Sequence, residues 1–221
     1  MIADILPSAV ASAETFGDIS DAVLFPEEEA LIARAVDKRR REFTAARACA
    51  RTALAKLGYQ PAPILPGERG APQWPAGVVG SITHCRGYRA SAVARAEDVL
   101  ALGIDAEPND PVPDGVLDAV AGTGEQAGLT ALTGAAPGVC WDRLLFSAKE
   151  AVYKAWFPLT RRWLGFGDAS VSFDPAHGTF TARLHVTGPA LAGTPLDRFT
   201  GRWAARDGLI ATAVALPAAT R

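Results

Sequence analysis

Residues 99–108 read Val99-Leu-Ala-Leu-Gly-Ile-Asp-Ala-Glu-Pro108. The first six are apolar and partly β-branched, the pattern of a short buried strand. Side chains alternate along a strand, so Asp105 and Glu107 point to the same face. Two carboxylates on one side of a strand end repel each other unless a cation stands between them. A compact pair of oxygen ligands suits Mg²⁺, which takes one or two carboxylates and completes its shell with water and phosphate. Pro108 cannot donate a ladder hydrogen bond, so the strand is expected to stop there, with the acidic pair at the sheet's rim. Taken alone, these residues favour a solvated acidic strand end over a metal site.

The chain of 221 residues is long enough for one large domain or two small lobes with a real core. Its net charge of −2 leaves no basic surplus to displace counterions, which argues against nonspecific nucleic-acid binding. Cys49, Cys85 and Cys140 are odd in number and not at metal-ligand spacing, so reduced thiols in a cytosolic protein are expected. Asp4, Pro7 and Glu14 interrupt any signal-like apolar run, and no stretch approaches the ~20 apolar residues that span a bilayer. Cytoplasmic location without membrane attachment follows as the expectation.

Upstream of the acidic strand, residues 1–24 are weakly patterned. Pro26 followed by Glu27, Glu28 and Glu29 marks a helix start, because Pro fits the first turn and acids suit its positive end. The helical pattern continues, with a break near Asp37, to Leu57, and Gly58 supplies the stop. Arg40, Arg47 and Arg51 fall on one helical face, as a solvated row or as a clamp for a phosphate-rich ligand. Residues 59–77 hold prolines at 61, 63, 66, 72 and 75, an extended loop turning at Gly67-Glu-Arg-Gly70 and packed down by Trp74. Strand-like runs at 78–83, 88–94 and 99–105 read as an antiparallel meander. The first run leads into His84, beside hydroxyls that, with it, suit a phosphate oxygen or a purely structural role.

Downstream, 109–114 reads as a linker or helix start, with Asp114 as a cap for 116–120. Residues 121–138 contain five glycines and read as loop with a brief helical turn. Residues 141–157 form the clearest helix, with Leu145, Ala148, Val152, Ala155 and Trp156 on its apolar face and Pro158 as its end. Glu150 and Lys154, four apart, share another face, with Lys149 beside them. The loop 159–166 mixes Arg161 and Arg162 with Trp163 and Phe166, a packing loop or a partner surface. Strands follow at 169–173, 179–186, 199–205 and 209–216; His177 and His185 show no functional pattern. The order is a long helix then an antiparallel sheet, twice. It predicts an α+β fold of two similar lobes, 1–108 and 109–221, a pseudo-duplication without residue-level repeat. The acidic pair then lies at the lobe interface, a common place for a ligand cleft.

Gly103-Ile-Asp-Ala-Glu107, with Phe146-Ser-Ala-Lys-Glu-Ala-Val-Tyr-Lys154 about forty residues on, resembles the paired signature of the 4′-phosphopantetheinyl transferases. That signature is Gly-[Val/Ile]-Asp-x-Glu, then Trp/Phe-[Ser/Cys/Thr]-x-Lys-Glu-[Ala/Ser]-x-x-Lys. Gly80-Ser-Ile-Thr-His-Cys85 is similar to a third block. Lys38-Arg-Arg-Arg-Glu-Phe43 with Arg47 and Arg51 resembles the arginine helix of the two-lobed, enterobactin- and surfactin-activating type. The resemblance implies transfer of phosphopantetheine from coenzyme A to a serine of an apo acyl or peptidyl carrier protein, with release of 3′,5′-ADP. It implies Mg²⁺ on Asp105 and Glu107, with the Ala106 carbonyl added. Glu150 is either a further metal ligand or the base for the serine, while Lys154 and His84 hold phosphates, with Thr83 alongside. Arg39, Arg47 and Arg69 take the 3′-phosphate and adenine end.

Two tensions accompany the resemblance. Helical phase favours Arg40 beside Arg47, whereas the family match favours Arg39. Pro66 stands where relatives of this subtype offer a basic side chain, which leaves more to Arg69. Lys149 and Lys154 are expected to keep Glu150 ionised. The implied partners are carrier proteins of fatty-acid, polyketide, siderophore or other nonribosomal-peptide synthesis, and two complete lobes imply a monomer. A non-catalytic coenzyme A or nucleotide-binding module and a Mg²⁺-dependent nucleotide pyrophosphatase are the competing classes.

Overall fold

The computed structural model describes residues 1–191 and 193–218. Strand β1 is Ala11–Phe16, followed by helices α1, Pro26–Leu31, and α2, Asp37–Lys56, the expected helical stretch with its break before Asp37. Strands β2, Val78–Cys85, and β3, Tyr88–Arg95, form a hairpin, and β4 is Val99–Pro108. Helices α3, Val116–Val120, α4, Thr123–Ala135, and α5, Trp141–Thr160, lead into strands β5, Ala169–Asp174, and β6, Thr179–Leu184. A two-residue ribbon, β7 (Ala190–Leu191) and β8 (Thr194–Pro195), precedes β9, Arg198–Arg206, and β10, Leu209–Pro217.

The strands make two main antiparallel sheets, β1-β3-β2 and β4-β10-β9-β6-β5. The expected meander is therefore corrected. β4 pairs with β10, Asp105 opposite Thr212, and not with β3. The reason is that β3 has no free edge: β2 lies on one side and β1, unrecognised in the sequence, on the other. β4 still meets β2, but through side chains. Ser81 Oγ accepts the Ile104 N–H at 3.1 Å and Thr83 Oγ1 accepts the Ala106 N–H at 3.0 Å. Two hydroxyls thus satisfy backbone donors that no strand reaches.

The layers run α2, first sheet, second sheet, α5. Ala50, Ala53 and Leu54 of α2 pack on Val78 and Val93. Tyr88, Ala90 and Ala92 of β3 pack across on Leu102, Ile104, Ala106 and Ala211. Leu144, Leu145, Ala148 and Val152 of α5 pack on Phe180, Phe199 and Ile210. Gly103 fixes the depth of α5: a Cβ there would lie 2.0 Å from the Ala151 carbonyl oxygen.

Three further expectations are corrected. Residues 123–135 are a full helix despite their glycines, because Glu125 caps the Gly122 N–H and is clamped by Lys149 and the Val171 N–H. Helix α5 runs past Pro158, which sits in the last turn where one lost backbone donor is tolerable; Thr160 and Arg161 bond the carbonyls of Trp156 and Phe157. Asp114 does not cap α3, whose N-cap is Gly115 at φ 80°. Among the described residues no helix is long and apolar enough to cross a membrane.

Candidate active site

The acidic strand and α5 build the site together. Asp105 and Glu107 share the β4 face that looks toward α5, as alternation requires. Gly103 lets the helix close on the strand, so Lys154 Nζ reaches Asp105 Oδ1 at 2.7 Å. Thr83 Oγ1 donates to the same oxygen at 3.3 Å. Oδ2 of Asp105 is buried and has no protein partner. Ser147 and Thr212, hydroxyl to hydroxyl at 2.9 Å, pin the helix to β10 one turn before Glu150.

The acids are short of positive charge. Burial first, and then the Asp105 carboxylate, push Glu107 up to about 7, although Arg143 Nη1 lies 3.2 Å away. Glu150 is raised by the same two causes in the same order. Of the two lysines expected to keep Glu150 ionised, only Lys154 opposes that rise. Lys149 turns to the opposite side, where it bonds Glu125 and the carbonyls of Val120 and Phe166, and Lys154 is spent on Asp105.

Among the described residues no three His, Cys, Asp or Glu side chains are gathered closely enough to form a ready metal cage. Lys154 and Arg143 occupy that space from either side. The donor set nonetheless suits a hard cation: all oxygen, with one carboxylate oxygen orphaned and two neighbouring acids destabilised as anions by burial and then by the Asp105 charge. The Ala106 N–H points to Thr83, so its carbonyl lies on the same strand edge, outside the β10 ladder.

A cleft of about 1010 Å³ opens from this cluster. Glu150, Tyr153 and Lys154 line it together with Gly80, His84, Arg39 and Arg47. The loop Gly67–Trp74 covers it, with Trp74 resting on Gly80, whose carbonyl accepts the indole N–H at 2.9 Å. The phase conflict in α2 resolves geometrically. Arg40 is held outside by Glu29 and the Ile32 carbonyl, whereas Arg39 lines the cleft and lies 3.0 Å from His84 Nε2. Partial burial and then Arg39 lower the His84 pKa, so the ring is neutral and accepts at Nε2. Arg69 reaches across to Trp163, its guanidinium 5.3 Å from the ring.

The family model of the 4′-phosphopantetheinyl transferase N-terminal domain matches residues 27–94, and that of the 4′-phosphopantetheinyl transferase superfamily matches 101–195. The chain is 57% identical to the 4′-phosphopantetheinyl transferase Svp of Streptomyces mobaraensis, over 99% of this chain and 90% of the relative. The chain belongs to the 4′-phosphopantetheinyl transferases. It is also 52% identical to Npt of Nocardia iowensis, over 97% and 99% of the two chains. With PptT of Mycobacterium tuberculosis it shares 49% identity over 98% of each.

In this transferase the residues singled out by sequence fall into two groups. Asp105, Glu107, Glu150, Lys154, Thr83 and the Ala106 backbone converge at the β4–α5 junction. Arg39, Arg47, Arg69 and His84 line the cleft. The sequence reading missed Arg143 as the partner of Glu107, Ser81 as a stitch to β4, and Tyr153 as cleft wall. Arg143 and Ser81 carry no local signal, because each acts through a residue more than twenty positions away.

Proposed function

We propose that this transferase moves the 4′-phosphopantetheine group of coenzyme A onto a serine hydroxyl of an apo carrier protein, with Mg²⁺ held by Asp105, Glu107, Glu150 and the Ala106 carbonyl. The serine oxygen bonds the phosphorus that carries pantetheine, and the bridging bond to the adenosine phosphate breaks. The products are the phosphopantetheinylated serine and 3′,5′-ADP. The serine proton goes to a Glu150 carboxylate oxygen, directly or through one water. Lys154 offsets charge that grows on the departing phosphate, and neutral His84 donates a hydrogen bond to it from Nδ1. Thr83 holds Asp105 in register with the strand. Arg39, Arg47 and Arg69 take the 3′-phosphate and adenine end. Mg²⁺, when bound, supplies neutralisation and polarisation of the pyrophosphate.

The single observation that carries this reading is the orphaned Oδ2 of Asp105, next to two destabilised acids, at the head of an arginine-walled cleft. Phosphoryl transfer asks for alignment and charge neutralisation more than covalent help. We read α2 on the first sheet and α5 on the second as the two lobes of a cytoplasmic monomer, divided before β4 rather than after residue 108, because β4 pairs into the second sheet. Its substrates are carrier proteins of fatty-acid, polyketide or nonribosomal-peptide synthesis.

Intact-mass analysis tests the reading. Several apo carriers are incubated with coenzyme A and Mg²⁺, and each modified carrier gains one phosphopantetheine. Release of 3′,5′-ADP without any carrier would identify a pyrophosphatase, and coenzyme binding without product a binding module.

A further inference from the structure

We infer that Glu28 is a positioning residue for coenzyme recognition: it sets the guanidinium of Arg47 and the wall of the Pro-rich loop, and so governs how well the 3′-phosphate end is held. The inference rests on the proposed placement of that phosphate at Arg47.

Glu28 lies on the short helix α1, outside every motif that marks the site. It is fully buried at 0% exposure. A carboxylate is rarely buried unless paired and fully hydrogen-bonded. Glu28 meets both conditions. Oε1 accepts the Ile64 N–H at 2.9 Å and Oε2 accepts the Phe25 N–H at 3.0 Å. Arg51 Nη1 donates to both oxygens, at 3.0 and 2.9 Å. Arg47 Nε lies 3.9 Å from Oε1 and donates to the Ile64 carbonyl at 2.8 Å.

One peptide unit is therefore gripped from both sides. Glu28 holds the N–H of Ile64 and Arg47 holds its carbonyl. Ile64 anchors the loop that continues into Pro66–Trp74, the cover of the cleft. Arg47 commits Nε to this anchor, and its side chain also stacks at 4.2 Å over Phe43. Among the described residues its Nη atoms have no hydrogen-bond partner, and Arg47 lines the cleft. Burial lowers Arg47 to about 10, and the Glu28 carboxylate opposes that shift. A buried cation with one end fixed and the other free is a pre-organised anion donor.

The test compares Glu28→Gln, Arg47→Gln and the double variant, with coenzyme A and 3′-dephospho-coenzyme A as donors. Glu28→Gln is expected to raise the KM for coenzyme A about tenfold, with kcat and the carrier KM within about twofold. Its preference for coenzyme A over the dephospho form shrinks toward that of Arg47→Gln, and the two losses do not add. An unchanged preference, or additive losses, would overturn the inference. A second readout is independent of the chemistry. The Arg47 Nε–H resonance exchanges slowly with solvent in the parent and faster in Glu28→Gln; unaltered exchange also overturns it. Faster exchange together with an Arg47→Gln variant that keeps its donor preference would retain the coupling and refute the phosphate placement. Should Glu28→Gln fail to fold, Glu28→Asp keeps the charge but retracts it, and the same two readouts are expected to move in the same direction.

Discussion

Lys154 Nζ lies 2.7 Å from Asp105 Oδ1, and Oδ2 of the same carboxylate is buried without a partner. One lysine thus satisfies half of a carboxylate that has room for more. Asn in place of Asp105 keeps the shape and removes the charge. Transfer by Asp105→Asn is expected to fall by about three orders of magnitude, as when a preorganised electrostatic group is lost. Lys154→Ala is expected to lower kcat as well as raise the KM for coenzyme A. Steady-state kinetics with one carrier checks both. Full activity in Asp105→Asn would refute the assignment.

The raised acids predict how stability responds to pH. Glu107 has a folded pKa near 7 against an ordinary 4.5. Between those values the folded chain holds a proton that the unfolded chain has lost, so unfolding free energy falls as pH rises. The contribution is complete below about 4.5 and gone above about 7. Glu150 acts in the same direction. The metal-free protein should therefore lose thermal stability from pH 5 to 7.5, and Glu107→Gln should lose less. Mg²⁺ should flatten the slope, because a cation among the acids favours their charged forms. Calorimetry with chelator and with Mg²⁺ checks this, and identical slopes would count against a cation at these acids.

These two sites show what a sequence can and cannot disclose. The strand at 99–108 and the helix at 141–160 are written locally, in apolar runs, a proline stop and an i,i+4 pair. Their chemistry was legible for that reason. The pairing of β4 was not. Its partner β10 lies about a hundred residues on, and β3 is filled by β1, whose Ala11-Ser-Ala-Glu-Thr-Phe16 is too small and mixed to signal a strand. Helix α4 was hidden by its glycines, because Lys149 and Glu125 supply from outside the support its own sequence lacks. Arg39 against Arg40 turned on the end of α1, where Glu29 and the Ile32 carbonyl draw Arg40 away from the cleft, a contact that helical periodicity does not show.

Gly103 sets a third expectation. A methyl group there would lie 2.0 Å from the Ala151 carbonyl oxygen and 2.7 Å from the Ala155 nitrogen. Both are backbone atoms, so no side chain can swing aside. Gly103→Ala must push α5 off β4 and carry Glu150 and Lys154 with it. Overpacking of this kind is expected to cost about 3 kcal/mol, or roughly 10 °C in a chain of this size. Denaturant midpoints measure the first. A kcat loss larger than the change in folded fraction would report the displaced helix.

Lys149 predicts a structural loss instead. It is buried with Glu125 at 2.8 Å, and Glu125 in turn caps α4 and holds the β5 backbone. Lys149→Met leaves a buried carboxylate unpaired, a change expected to cost about 3–5 kcal/mol. The KM for coenzyme A should be unchanged in the fraction that folds, because Lys149 turns away from Glu150. A specific rise in that KM would mean that Lys149 reaches the coenzyme after all.

The loop after α5 supplies the last expectation, on carrier docking. Trp163 is 61% exposed beside the cleft, and Arg161 lines it from a left-handed turn at φ 56°. Arg162 is already engaged, bonded to the Thr187 carbonyl and stacked 4.8 Å over Trp156. An acidic carrier helix set against this loop would meet Arg161 and the Trp163 ring first. Interfaces draw most of their energy from such Arg and Trp anchors. The Arg161→Glu, Arg162→Glu variant is expected to raise the carrier KM by about tenfold or more, since like charges replace opposite ones. Arg161→Glu alone should account for most of it, because Arg162 is already tied to the Thr187 carbonyl and the Trp156 ring. The KM for coenzyme A should stay within about twofold if docking is the main role of Arg161. A carrier KM equal to the parent's would remove this surface from the account, and a rise confined to the coenzyme would reassign Arg161 to the cleft.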